Sequence, residues 1–130
     1  MTWTLGYNSE LSIIEAVFTG RTDGMDVQVF TAKAIALGQQ HGCLRYFTDA
    51  SNIELQTSTL DIYDLPNRQY QALGLDRQSR VAIVLPISLK EFEIAKYFET
   101  SCNNAGWCVR TFSTRDQAIE WLIGVESVSK

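Results

Sequence analysis

Arg80-Val81-Ala82-Ile83-Val84-Leu85-Pro86 is the stretch that decides the fold. Every side chain from Val81 to Leu85 is apolar, and Pro86 ends the run by removing a backbone donor. A strand with one wet face alternates in polarity. One that is apolar at every position is buried on both faces, as central parallel strands are. Parallel neighbours need crossovers, usually helical ones, so the flanks should carry amphipathic helices. On the C-terminal side, Ser88 and Glu91 read as a capping box opening a helix to about Ala105. Phe92, Ala95, Phe98 and Cys102 are spaced as its inner face, Ile94 and Tyr97 fall outward, and Gly106 closes it. Trp107–Phe112 reads as the last strand. Thr114 with Gln117 then caps a final helix through Ala118, Trp121 and Leu122, ended by Gly124.

Upstream of Arg80, Gly74 ends a helical piece, and Pro66 calls for a break at Leu65-Pro66. Ser58, with Asp61 three residues on, opens the helix before that break. Ala50–Thr57 reads as a polar loop and Leu44–Asp49 as a short strand. Thr22 or Asp23 is the expected N-cap of a helix running to His41. Val27, Phe30, Ala34 and Leu37 line its inner face, and Gly42 caps its end. The chain opens with two alternating runs, Trp3-Leu5-Tyr7 and Leu11-Ile13-Val17, separated by Asn8-Ser9-Glu10. That is an antiparallel hairpin, ended by Gly20. The expected fold is α/β: a five-stranded mixed, mostly parallel sheet with about four helices and an N-terminal β-hairpin. The 130 residues make one domain, with 125–130 as a frayed tail.

Composition narrows the function classes. Hydrophobic residues at 45% and charged residues at 20% are a globular balance. A net charge of −4 with no basic cluster argues against a nucleic-acid partner. The longest apolar run is far short of the about 20 residues that a membrane span needs, and the N-terminus lacks the basic and apolar regions of a secretory signal. Three cysteines without C-x-x-C spacing make neither a disulfide framework nor a zinc site. They point to a reducing, cytoplasmic setting, with Cys43, Cys102 and Cys108 as small buried hydrophobes.

No catalytic constellation stands out. The single histidine, His41, sits at a helix end, where its charge suits the dipole. The eight glycines are dispersed and form neither nucleotide-binding fingerprint, so no cofactor or metal is expected. The charge pattern is more informative. No Lys or Arg occurs between Arg45 and Arg68, where Asp49, Glu54, Asp61 and Asp64 carry an excess equal to the whole net charge of −4. Asp49 falls at the C-terminal end of an expected parallel strand, the edge where open α/β sheets carry their functional loops. Tyr63, Tyr70 and Tyr97 have hydroxyls that want water or a partner, and are candidates to line a pocket.

The order of these segments resembles bacterial STAS-like (SpoIIAA-like) domains, which share the fold of anti-sigma-factor antagonists and are related in architecture to CRAL-TRIO lipid-binding domains. It is carried by the hairpin Trp3–Phe18, the strand and loop Leu44–Leu60, Asp61-Ile62-Tyr63-Asp64-Leu65-Pro66, Arg80–Pro86, and Val109-Arg110-Thr111-Phe112 with Gln117-Ala118-Ile119-Glu120-Trp121-Leu122. The resemblance implies a non-enzymatic regulatory or protein-interaction module whose contact surface is the Asp49–Asp64 loop. In that family a serine in an Asp-Ser-Ser-Gly-like motif is phosphorylated. The matching hydroxyls here are Thr57 and Ser58, with Gln56 and Thr59 where the motif has aspartate and glycine. The alternative it implies is a small apolar ligand or lipid, bound as in CRAL-TRIO domains near the Leu60–Leu73 helix. Finally, neighbouring strands joined by one-handed crossovers would place all helices on one face of the sheet. Val81–Leu85 needs cover on both, so either the strand order reverses and helices cover both faces or a second chain covers the open one; with Ile94 and Tyr97 outward the expectation is a symmetric homodimer.

Overall fold

The computed structural model describes residues 2–56 and 67–124. Its opening hairpin pairs β1 (Trp3–Asn8) antiparallel with β2 (Ile13–Thr22), Trp3 opposite Phe18 and Asn8 opposite Ile13. The next strands, β3 (Arg45–Leu55), β4 (Arg80–Val84) and β5 (Cys108–Phe112), are each added in parallel. The sheet order is β1-β2-β3-β4-β5, without reversal. Val81, Ala82, Ile83 and Val84 are all buried, as the apolar run required, while Leu85, past the end of the strand, is half-buried.

Helix α1 (Gly24–His41) starts at Asp23, whose carboxylate accepts from the Asp26 amide while Asp26 accepts from the Asp23 amide. It ends on Gly42 in the left-handed conformation. Residues 67–72 are helical and stop at Gly74, φ +75°. Helix α2 (Leu89–Asn104) joins β4 to β5, and α3 (Arg115–Ile123) follows β5, capped by the Thr114 hydroxyl. One face of the sheet packs Ile14, Tyr46, Val81, Ile83 and Val109 against Ile35 of α1, Tyr70 and Cys102 of α2. The other packs Ile13, Phe47, Ala82 and Val84 against Ala118, Trp121 and Leu122 of α3. The second face is therefore covered by the same chain. Among the described residues α3 leads to no further strand of the sheet, so it is free of the crossover rule that keeps the other helices together.

Several local expectations are corrected. Gly20 does not end β2, and residues 50–55 are strand, not loop. After an irregularity between Val17 and Thr19, Thr19–Thr22 pair in parallel with Asn52–Leu55. Leu55 is buried and Ile53 half-buried while Asn52 and Glu54 are exposed, so the polar residues are one side of a paired ribbon. In α2 the inner face is Glu91, Ile94, Ser101 and Cys102. Ile94 is 6% exposed and Phe92 37%, the reverse of the expectation. The Ser88 side chain makes no capping bond. Glu91 turns instead to the Leu55 amide at 3.0 Å, and Ile94, one turn on, follows it inward. Cys43 and Cys102 are buried but Cys108 is exposed, because strand alternation gives the interior to Val109. Thr57, Ser58, Asp61, Tyr63, Asp64, the Leu65-Pro66 break and the tail 125–130 lie outside the described residues.

Candidate functional site

The sheet has a step along its C-terminal rim. β4 ends at Val84, level with Asp49 on β3, while β2 and β3 continue side by side to Thr22 and Leu55. The ribbon is fastened at its tip by the start of α2. Glu91 takes the Leu55 amide, Lys90 Nζ donates to the Leu55 carbonyl at 3.1 Å, and Gln56 N donates to the Thr22 carbonyl at 2.8 Å. Burial pushes the Glu91 carboxyl up, but the Ser88 hydroxyl, the Leu55 amide and the Lys90 charge together hold it below the ordinary carboxylate value. Ile87 N donates to the Ser51 carbonyl at 3.2 Å, tying the β4–α2 loop to the same ribbon.

The acidic residues divide here. Glu54 is exposed on the ribbon. Asp49 is turned to its own strand: one carboxylate oxygen accepts from Ser51 N at 3.0 Å and Ser51 Oγ at 2.6 Å. Beside Glu54's ribbon, the loop after β4 and the first residue of α2 expose two large apolar side chains, Ile87 at 81% and Leu89 at 71%. Neither stood out in the sequence, because a Pro-Ile-Ser-Leu stretch between strand and helix reads as ordinary connecting residues.

Beneath the rim, between α1, α2 and the sheet, lies an apolar cavity of about 120 Å³. Phe30, Ala50, Ile83, Ile94 and Phe98 form much of its wall, and Tyr70 closes one side. Tyr70 is buried, its ring meeting Trp107 edge-on at 5.5 Å. Burial, with smaller contributions from Cys102 and Tyr46, pushes its phenol well above the ordinary value. Tyr97, expected near the same pocket, is 58% exposed on α2 and is not among the cavity's lining residues.

At the opposite end of the sheet, the His41 ring stacks on Tyr7 at 4.0 Å. The Cys43 thiol donates to the carbonyls of Ser12 and Arg45. His41 and Cys43 are thus each engaged separately. Among the described residues no group of three His, Cys, Asp or Glu side chains converges as a metal site requires, and no helix is long and apolar enough to cross a membrane.

Two solved structures reproduce this arrangement over nearly its full length. One is a Shewanella loihica PV-4 protein of the DUF3478 family, described as having a SpoIIAA-like fold. It matches with a TM-score of 0.56 and 15% identity over 92% of this chain and 93% of that one. The chain has a SpoIIAA-like fold. The other match is the anti-sigma factor antagonist SpoIIAA in its unphosphorylated form, with a TM-score of 0.55 and 14% identity over 94% of this chain and 98% of that one. No family model matches the sequence, and no curated protein does. With identities this low, what the SpoIIAA-like likeness shows is the fold, and the chemistry of the site rests on this chain's own residues.

Proposed function

We propose that this SpoIIAA-like domain is a non-enzymatic regulatory module of STAS type that works by binding another protein. The carrying observation is the C-terminal rim, where Ile87 and Leu89 stand exposed beside the ribbon that carries Glu54 and that α2 holds in place. Two large apolar side chains in water beside a fixed charged edge suit a partner surface. The partner named by the SpoIIAA likeness would be a component of an anti-sigma system. In this reading Glu54 contributes charge and Asp49 keeps the strand in shape, while Thr57, Ser58, Asp61 and Asp64 lie outside the described residues.

The test is affinity purification of the tagged protein from the cells that make it, in three forms. Wild type should retain a stoichiometric partner. Ile87→Asp with Leu89→Asp should lose it, and Leu44→Asp, before β3 at the opposite end, should keep it. Equal retention by the rim variant and wild type would refute the rim as the contact surface.

A further inference from the structure

The cavity under the rim has a second lobe. A smaller space of about 40 Å³ adjoins the 120 Å³ cavity, and Phe30, Thr31, Thr48, Tyr70 and Val81 line both. Three of those five shared residues, Thr31, Thr48 and Tyr70, carry hydroxyls, in a wall that is otherwise mostly apolar. Tyr70 is buried and Thr48 half-buried.

We infer that the cavity is a binding site for a small neutral ring compound bearing one hydroxyl or carbonyl group, of which phenol is the simplest. The ring would fill the larger lobe and its polar substituent would reach the hydroxyls at the junction. Size sets the first limit. An apolar cavity of about 150 Å³ stays dry and takes up benzene, so 120 Å³ suits one ring, and a long acyl chain would have to leave it. Charge sets the second. Among the described residues no Lys, Arg or His lines either lobe, and the one carboxylate in the wall, Glu91, is already bonded to the Leu55 amide. A carboxylate guest would lose its water and gain no cation. This site is independent of the protein contact proposed for the rim, and either can fail without the other.

Methyl-resolved NMR of the full chain decides it, with phenol, toluene and benzoate as probes. Phenol should give saturable shifts of the Ile83 and Ile94 methyls, toluene weaker ones, and benzoate none. Tyr70→Phe should weaken phenol by roughly three- to tenfold, the loss of one hydrogen bond, and leave toluene unchanged. Ala50→Leu, which fills the larger lobe, should abolish both. Ala95→Leu does so from the α2 side should the first variant fail to fold. Absence of saturable phenol shifts, binding of benzoate as tight as phenol, or phenol binding that survives a folded cavity-filling variant would each overturn the assignment.

Discussion

At Gly38, α1 comes down so close on β3 that a methyl group would overlap the Tyr46 hydroxyl and lie 2.6 Å from its Cζ. A glycine inside a helix costs about 1 kcal/mol against alanine, and here the contact accounts for it. Gly38→Ala should therefore destabilise the protein by about 1–3 kcal/mol, the usual cost of overpacking, despite the gain in helix propensity. Urea denaturation measures it, and a more stable variant would mean that Tyr46 has room to move. Tyr46 also shapes the alkaline limb of stability. Burial, with smaller contributions from Cys43 and Asp76, pushes its phenol from 10.0 up to about 12. A pKa raised in the folded state means stability that is complete below pH 10 and lost as pH climbs towards 12. Cys102 acts in the same sense, pushed by burial from 9.0 up to about 12. Replacing Tyr46 by Phe should flatten the loss above pH 10 in part, leaving the shares due to Cys102 and Tyr70, and an unchanged pH profile would contradict this. In the sequence Gly38 reads as one of eight dispersed glycines, since close approach between a helix and a strand has no local signature.

Among the elements, those governed by their own periodicity were legible and those governed by a neighbour were not. β4 and α3 belong to the first kind. The apolar run of β4 and the Thr114–Gln117 cap of α3 are written locally, and Trp121 is buried as its spacing implied. Its ring meets Phe112 at 5.6 Å, and Arg80 on β4 donates to its carbonyl at 2.7 Å. Trp121→Ala should cost about 3–5 kcal/mol, and a loss below about 1 kcal/mol in chemical denaturation would place the ring at the surface. The second half of β3 belongs to the other kind. Ser51, Asn52 and Glu54 have loop composition, and only pairing with Thr19–Thr22 makes them strand. The face of α2 was misread for a similar reason, because Glu91 is drawn inward by an amide 36 residues away. That bond gives a pH prediction. A carboxyl held below 4.5 stabilises its contact above that pH and loses it as pH falls through the lowered value. Hydrogen-exchange protection of the Leu55 amide should fall on acidification in wild type. In Glu91→Gln it should start lower and vary less, and identical acid profiles would show that the carboxylate does not hold the ribbon.

At the scale of the whole molecule, the number of strands and the antiparallel opening pair with parallel strands after it follow from the sequence, whereas their order is a finding of the structure. The solution to covering both faces does not follow from the sequence either, because nothing local says that, among the described residues, α3 leads to no further strand. That covering bears on assembly. The homodimer expected from sequence rested on an open sheet face and an outward Ile94, whereas α3 covers the face and Ile94 is buried. The β5 edge is closed as well. Asn103 Nδ2 donates to the Val109 carbonyl at 2.8 Å, its Oδ1 accepts from Val109 N at 3.1 Å, and Glu99 accepts from Thr111 N at 2.9 Å. Side chains of α2 thus occupy backbone groups that another strand would need, one way in which proteins keep sheet edges from pairing. The exposed apolar surface at the rim, Ile87 with Leu89, is too small by itself for the roughly 800 Å² per partner that a stable dimer buries. Sedimentation equilibrium of the purified chain should therefore give a 14.7 kDa species up to high micromolar concentration. A dimer would point to the remaining edge, β1, or to the rim, and Ile87→Asp separates the two by dissociating a rim dimer while leaving a β1 dimer intact. Replacing both Glu99 and Asn103 by Ala should raise self-association, since it reopens the β5 edge. If that double variant stays as monomeric as wild type, the capping bonds are not what keeps the edge from pairing.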